Sequence, residues 1–204
     1  MLEVKNISFA YEKKQILQNL SFSLQKGEIL AVMGPSGCGK TTLLSLIAGL
    51  KKPSEGEIVT SQARIAYVFQ EPRLFPWLTA RENLEAVIKK PREKQVQIQS
   101  LLEEVGLAPC ANLYPHELSG GMKMRLSLAR ALLFDADLYL FDEPFSAIDD
   151  ELKESISRWL KGFLKQKGAV AILVTHQRED AERLCDRTIV LQPLQAISDL
   201  PKDH

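Results

Sequence analysis

The sequence predicts an α/β protein with a mainly parallel sheet, an antiparallel β-subdomain at its N-terminus and an inserted helical subdomain. Short segments with apolar cores, such as 29–33, 137–142 and 169–174, alternate with segments of helical pattern. That alternation is typical of a parallel sheet covered on both faces. Between 71 and 134 the pattern becomes mostly helical, which indicates a subdomain inserted into the α/β frame.

Composition indicates one globular domain over 1–204, with an α/β core at 1–70 and 135–204 and the helical subdomain at 71–134. The 26 Lys and Arg residues balance the 26 Asp and Glu residues, so we expect no nucleic-acid partner. The apolar runs are all shorter than the ~20 residues of a membrane span. The three cysteines are far apart in the sequence, which favours a reducing, cytoplasmic compartment and argues against a zinc site.

The elements of the first part follow from apolar alternation and from turn residues. Leu20, Phe22 and Leu24 alternate with polar residues, as in a half-buried antiparallel strand. A turn is predicted near Tyr11, and another at 51–57. In chain order we expect strands at 2–9, 16–24 and 29–33, a helix at 42–49, and strands at 58–59 and 64–69.

The remaining elements begin with an irregular apolar loop at 71–78. Thr79 and Glu82 have the spacing of a capping box, which predicts a helix start. The next predicted helices cover 80–90 and 93–105, and another begins at Ser119. Beyond these we expect a strand at 137–142, a helix at 149–166, a strand at 169–174, a helix at 178–185 and a strand at 187–192.

A glycine-rich loop lies between the strand 29–33 and the following helix, which is the context of a Walker A phosphate loop. Its glycines allow a tight turn with inward N–H groups, and the helix dipole favours an anion. Lys40 would reach the β- and γ-phosphates, and the Thr41 hydroxyl would bind Mg²⁺. An ordinary glycine turn is the alternative, which the complete pattern disfavours. The predicted nucleotide-binding residues here are Gly34, Pro35, Ser36, Gly37, Cys38, Gly39, Lys40, Thr41 and Thr42.

Two acids follow the apolar strand that begins at Leu138. Open α/β sheets bind ligands at the carboxyl ends of their strands, where Asp142 and Glu143 lie. Asp142 could bind Mg²⁺, and Glu143 could orient or deprotonate a water that attacks the γ-phosphate. A pair of solvated acids at a strand end is the alternative, but the upstream phosphate loop favours catalysis.

A second glycine-bearing helix start lies at Leu118 to Met122. Ser119 is a good N-cap, and Gly120 and Gly121 would let an anion approach the backbone. Taken alone, this segment fits an ordinary capped helix equally well.

Together these segments resemble an ATP-binding subunit of the ABC (ATP-binding cassette) transporter family, whose core is a P-loop NTPase. The likeness runs from the N-terminal strands to about residue 192. Met122 departs from the family signature L-S-G-G-Q, in which glutamine is the last residue. Gly34 to Thr41 match Walker A, Leu138 to Glu143 match Walker B and Leu118 to Met122 match the signature. The other matching positions are Tyr11 (adenine stacking), Gln70 (Q-loop), Ser146 to Asp149 (D-loop) and His176 (switch histidine).

The resemblance implies ATP and Mg²⁺ as ligands, and catalytic roles for Glu143, His176 and Gln70. Glu143 would act as base, His176 would contact the γ-phosphate, and Gln70 would touch Mg²⁺ or the attacking water. Thr41, Gln70 and Asp142 would hold the metal. Tyr11 could instead be a surface tyrosine, His176 a structural histidine and Gln70 a polar strand end.

The resemblance also implies a head-to-tail dimer with ATP between the copies. Ser119, Gly120, Gly121, Met122 and Asp149 would contact the nucleotide held by the other copy. Asp149 could also cap the helix that follows it. The further implied partners are an integral membrane permease and a solute-binding protein, with the subunit at the cytoplasmic face of the membrane.

The implied function is ATP hydrolysis that energises solute import. The first alternative is a non-transport ATPase of this family, in DNA repair or translation. The second is a P-loop kinase or a pure binding module. Met122 and the segment 70–79 resemble the nitrate, sulfonate and taurine branch. The aromatic and apolar side chains of Phe75, Trp77 and Leu78 could contact the permease or pack inside the helical subdomain.

Overall fold

The computed structural model describes residues 1–12, 14–60 and 63–194. Eight strands and six helices are present in these ranges, with short 3₁₀ turns between some of them. In chain order they are β1 (Leu2–Tyr11), β2 (Lys14–Leu24), β3 (Ile29–Met33), α1 (Lys40–Ile47), β4 (Glu55–Val59), β5 (Ile65–Val68), α2 (Ala80–Glu85), α3 (Gln95–Glu104), α4 (Gly120–Leu133), β6 (Leu138–Asp142), α5 (Asp150–Lys167), β7 (Val170–Val174), α6 (Arg178–Leu184) and β8 (Arg187–Val190).

The strands form two sheets, as the α/β prediction required. An antiparallel sheet of three strands has the order β2-β1-β4, and a parallel sheet of five has the order β5-β6-β7-β3-β8. The antiparallel sheet contains the N-terminal strands, and the parallel sheet contains the strands that precede the glycine loop and the acids. The predicted fold class is confirmed.

Alternating side chains of β6 cover both faces of the parallel sheet. Leu138 and Leu140 join the apolar cluster that includes α1 and the antiparallel sheet. Tyr139 and Phe141 join the opposite cluster, which includes α4 and α5. Because successive strand residues point to opposite faces, one apolar strand supplies both halves of the core.

A third apolar cluster joins α2, α3 and α4 and includes Leu84, Leu102 and Leu126, all fully buried. This cluster lies within the predicted helical subdomain 71–134. The predicted core segment 135–204 includes 195–204, which lie outside the described residues. None of the helices in the described ranges is apolar over the length that a membrane crossing requires.

The structure corrects several element boundaries. The predicted turn 51–57 ends early, because β4 begins at Glu55 and its pairs with β1 run from Ser8↔Glu55 to Glu3↔Val59. The predicted helix 80–90 ends at Glu85, and a 3₁₀ turn at Pro91–Lys94 precedes α3. Strand pairing over long sequence distance decided the first boundary, and local turn geometry decided the second.

Strand order places four predicted site segments at one edge of the parallel sheet. β5, β6, β7 and β3 are consecutive neighbours, and each is followed by one of these segments. They are Gln70 after β5, Glu143 after β6, His176 after β7 and the glycine loop after β3. The carboxyl ends of parallel strands meet at one edge, which is where open α/β sheets bind ligands.

Candidate active site

The glycine loop closes around the ammonium group of Lys40. Lys40 Nζ donates to the carbonyl oxygen of Gly34 at 2.8 Å and to that of Pro35 at 2.9 Å. Gly34 has a φ of 145°, and a Cβ there would lie 2.4 Å from the carbonyl oxygen of Leu191. A larger residue at this position would therefore force the loop away from β8.

Helix α1 begins at Lys40 with its first N–H groups uncapped by any side chain. Gly39 is the N-cap residue, with a left-handed φ of 104°, and the first turn contains no acid. Free N–H groups and the positive end of the helix dipole attract an anion at this point. The loop and the helix start therefore form an anion-binding cradle.

A cavity of about 390 Å³ opens in front of this cradle. Its lining combines the loop with residues from the antiparallel sheet and from the ends of β5 and β6, namely Tyr11, Ile16, Ser36, Gly37, Gly39, Lys40, Thr41, Thr42, Gln70 and Glu143. Sequence reasoning missed Ile16, because an apolar residue within a strand gives no local signal of ligand contact. A Cβ on Gly39 would lie 2.9 Å from Ile16 Cγ2, so Ile16 also packs against the loop.

Tyr11 lies at the end of β1 with 45% of its surface exposed. Its ring packs edge-on against Phe9, with ring centroids 4.9 Å apart and planes at 89°. The ammonium group of Lys51 is 4.9 Å from the Tyr11 ring centroid. The exposed part of the ring borders the cavity and is available for stacking on a planar base.

Asp142 is a buried carboxylate at the end of β6 with 1% exposure. Its Oδ2 atom has no hydrogen-bond partner in the part of the chain that the structure describes. Burial raises the pKa of Asp142 above its ordinary value, although the Thr41 hydroxyl and the Lys40 ammonium group oppose this rise. An unpaired carboxylate oxygen beside a hydroxyl fits the oxygen donors that Mg²⁺ prefers, so Asp142 and Thr41 fit a magnesium site.

Glu143 has a left-handed backbone with a φ of 50°, which is unusual for a residue other than glycine. Its N–H donates to the carbonyl oxygen of Val174 at 3.0 Å, and its own carbonyl accepts from Ser146 Oγ at 3.0 Å. These bonds hold the strained turn. They direct the side chain toward the phosphate cavity and toward His176, whose Nδ1 is 3.3 Å from Glu143 Oε2.

His176 lies beside the phosphate cavity and does not contribute to its lining. Its side chain is 57% exposed and borders a neighbouring pocket of about 460 Å³ together with Met33, Gly34 and Arg178. The structure therefore brings His176 to Glu143 but leaves the imidazole at the solvent boundary of the site.

The second glycine-bearing helix start lies outside the phosphate cavity of the same chain. Ser119 caps α4, since its Oγ accepts from the N–H of Met122 at 3.2 Å. A Cβ on Gly121 would lie 2.3 Å from the carbonyl oxygen of Ala147, whereas one on Gly120 would meet nothing within 4 Å. Gly121 thus packs against the loop before α5, and Gly120 faces open space.

Met122 is half-buried and packs against the apolar cluster of the helical part. This contact gives a physical reason for an apolar residue at the position. Asp149 caps α5, because its Oδ1 accepts from the N–H of Leu152 at 3.1 Å. This is the role that the sequence offered as the alternative to nucleotide contact.

The loop that follows Gln70 presents aromatic side chains to solvent. Trp77 is 70% exposed and Phe75 is 38% exposed, so the alternative of internal packing is wrong for Trp77. Leu78 is half-buried. The fully buried amide of Asn83 holds the loop: its Oδ1 accepts from the N–H of Phe75 at 2.9 Å, and its Nδ2 donates to the carbonyl oxygens of Phe75, Leu78 and Thr79.

The chain is similar in sequence and in structure to known proteins. The sequence profile described as ABC transporter matches residues 17–146. The Fe(3+) ions import ATP-binding protein FbpC 2 of Haemophilus influenzae is 40% identical over 210 residues, which cover 94% of this chain and 59% of that relative. The chain thus spans about three-fifths of the length of that protein.

A second relative is the aliphatic sulfonates import ATP-binding protein SsuB of Bacillus cereus, which is 41% identical over 185 residues, or 87% of this chain and 74% of the relative. Among solved structures, a dimer of the ATP-binding cassette MJ0796 in a post-hydrolysis state, bound to ADP and Pi, superposes with a TM-score of 0.85. The two chains are 30% identical, and the match covers 96% of this chain and 97% of that one.

Proposed function

The chain belongs to the ABC transporter family, and from this premise we propose that it binds and hydrolyses ATP to energise solute import through a separate permease. One observation carries the proposal: a single cavity joins the phosphate cradle, the Thr41 hydroxyl, Gln70 and Glu143. Two relatives of this chain, FbpC 2 and SsuB, are named for import, which favours transport over DNA repair or translation.

Binding would begin with the triphosphate in the cradle and the adenine on Tyr11. Lys40 would exchange two neutral carbonyl acceptors for anionic phosphate oxygens, which form stronger charge-assisted hydrogen bonds. The N–H groups at the start of α1 would contact the phosphates at the same time. Asp142, Thr41 and Gln70 would hold Mg²⁺, which neutralises charge on the β- and γ-phosphates.

Hydrolysis would depend on Glu143 and His176. The Glu143 carboxylate borders the phosphate cavity and would accept a proton from the attacking water. His176 would hydrogen-bond the γ-phosphate and contact Glu143 from the neighbouring strand end. Gln70, exposed at the end of β5, would orient the water and sense the γ-phosphate.

A second copy would complete the site. Ser119, Gly120, Gly121 and Met122 lie away from the phosphate cavity of their own chain, so they would contact nucleotide held by a partner copy. Asp149 would contribute across the same interface while it caps α5. The dimeric state of the related cassette supports this arrangement, and ATP binding would favour the closed dimer because its contacts form only there.

The permease would contact the exposed Phe75 and Trp77, since an exposed aromatic pair on a rigid loop is typical of a protein interface. This contact would place the subunit at the cytoplasmic face of the membrane, with a solute-binding protein as a further component of the system. The relatives named for aliphatic sulfonates support the nitrate, sulfonate and taurine branch.

Two variants test the proposal. Lys40→Ala should abolish ATP binding, measured by titration calorimetry with and without Mg²⁺. Glu143→Gln should retain ATP binding and lower the hydrolysis rate by about 10²- to 10⁴-fold, while it accumulates an ATP-bound dimer on gel filtration. Unchanged ATP affinity and turnover in Lys40→Ala would contradict the proposal.

A further inference from the structure

The exposed imidazole of His176 depends on its backbone for its position. The described contacts give its ring one polar neighbour, Glu143 at 3.3 Å, and leave its side chain 57% exposed. Exposed side chains change rotamer quickly. The residues on either side of His176 must therefore fix the place from which the ring reaches the phosphate.

Both sequence neighbours of His176 are tied into one hydrogen-bonded group. Thr175 Oγ1 accepts from the N–H of Gln177 at 3.0 Å and donates to Asp180 Oδ2 at 3.3 Å. The side-chain oxygen of Gln177 accepts from Lys153 Nζ at 2.7 Å. Lys153 thus reaches the turn around His176 from α5, and Asp180 reaches it from α6.

Lys153 and Asp180 are themselves an ion pair in the protein interior. Lys153 Nζ lies 3.6 Å from Asp180 Oδ1, and the two side chains are 7% and 4% exposed. Asp180 Oδ1 has no hydrogen-bond donor among the described residues. A third charge, Asp150, contacts Lys153 at 3.1 Å but is 95% exposed.

Stability alone does not explain a buried pair of this kind. The free energy needed to remove two charges from water often exceeds the free energy gained from their attraction. Well-packed apolar residues can therefore replace such pairs without loss of stability. The pair also holds a defined geometry, because each partner contacts a residue adjacent to His176. The pair is therefore better suited to fixing the position of the backbone around His176 than to stabilising the fold.

We propose that Lys153 and Asp180 are positioning residues that hold His176 against Glu143. Lys153 also bonds through its backbone N–H to the carbonyl oxygen of Asp149 at 2.9 Å, so the same residue ties the His176 turn to the start of α5. This inference rests on the proposed ATPase function, and Lys153 and Asp180 do not touch the nucleotide.

The test compares steady-state ATP hydrolysis and thermal stability of the full chain in matched variants. Lys153→Met leaves Asp180 buried without its partner and should lower both stability and kcat. The double variant Lys153→Met with Asp180→Leu removes both charges and should regain stability. Its kcat should remain lower by about tenfold to a hundredfold, the size expected for a misplaced group, while KM for ATP stays within about twofold.

Three further variants distinguish an effect on the position of His176 from an effect of lost charge or of impaired folding. Lys153→Arg should keep kcat, because a guanidinium can contact both Gln177 and Asp180. Thr175→Val keeps the side-chain shape and introduces no buried charge, and it should lower kcat at unchanged KM. Arg158→Met is the matched control: it removes a cation from the same helix whose pair with Glu154 is exposed, and its kcat should match that of the wild type.

Two outcomes would overturn the inference while the ATPase function stands. One is a double variant with wild-type kcat, and the other is a Thr175→Val variant with wild-type kcat, each in a protein whose hydrolysis rate Glu143→Gln lowers as expected. A wild-type chain that hydrolyses no ATP would overturn the proposed function, and the inference with it.

Discussion

The carboxylate of Glu143 and the imidazole of His176 meet across two neighbouring strand ends, with Oε2 3.3 Å from Nδ1. β6 and β7 pair in parallel up to Asp142↔Val174, and the N–H of Glu143 continues the pairing with a 3.0 Å bond to the carbonyl oxygen of Val174. The register of two strands therefore sets the distance between the proposed base and the proposed phosphate contact.

This contact predicts that His176→Ala lowers ATP turnover without lowering ATP affinity. The imidazole would donate to charge that grows on the γ-phosphate during reaction, and loss of one such donor costs about 10²- to 10³-fold in kcat. Single-turnover hydrolysis and equilibrium ATP binding would be measured separately. Glu179→Ala, an exposed change on the same turn, is the control that should leave kcat unchanged. Equal turnover in His176→Ala and in the control would contradict the assigned role.

Asp142→Asn should raise the melting temperature of the nucleotide-free protein by a few degrees. The carboxylate is buried with an unpaired Oδ2, so neutralising it removes the cost of a desolvated charge. The same variant should lose the Mg²⁺ dependence of ATP binding, because an amide oxygen is a weaker ligand than a carboxylate. A lower melting temperature in Asp142→Asn would contradict this account.

The raised pKa of Asp142 also predicts a pH dependence of stability. The folded state binds this proton more tightly than the unfolded state, so the contribution of Asp142 is present at low pH. It is lost as pH rises from the ordinary value of 3.8 through the raised folded value. Urea unfolding across this window should show a smaller fall in stability with rising pH for Asp142→Asn than for the wild type.

Gly121→Ala should destabilise the chain by about 1–3 kcal/mol, the usual cost of forcing an atom into packed structure. The new Cβ would lie 2.3 Å from the carbonyl oxygen of Ala147, so α4 or the loop before α5 must move. Gly120→Ala is the matched control for stability, because its Cβ would meet nothing within 4 Å. Urea unfolding of the nucleotide-free protein would compare them, and equal midpoints would exclude the packing argument.

Asn83→Ala should lower the free energy of unfolding by about 1–3 kcal/mol, since it leaves buried polar groups without partners. Urea unfolding would measure this loss.

Trp77→Ala should change the free energy of unfolding by less than about 0.5 kcal/mol, as expected for an exposed position. If the loop that contains Phe75 and Trp77 contacts the permease, Trp77→Ala should also weaken transport in the assembled system, while ATP hydrolysis by the isolated subunit persists. Wild-type transport in Trp77→Ala would contradict the docking role.

The residues with the clearest local signals were predictable from sequence. Gly34, Lys40 and Thr41 lie in one short pattern, and Asp142 and Glu143 follow one apolar run, so neighbours in the sequence identify them. Their common location follows from the general rule that parallel strands end together. Asn83, Lys153 and Asp180 lack such a pattern, because a single polar residue in a helix gives no sign of what it contacts.

The succession of strands and helices along the chain and the chemistry of the glycine loop could be read from the sequence, because both depend on residues close together in the chain. Three features became known from the folded chain alone: β4 begins at Glu55, Trp77 faces solvent, and Lys153 and Asp180 pair beside His176. Each of these depends on contacts between distant segments or on the shape of the packed surface. Tertiary contacts override local preferences at these positions, and those contacts form only when the chain is folded.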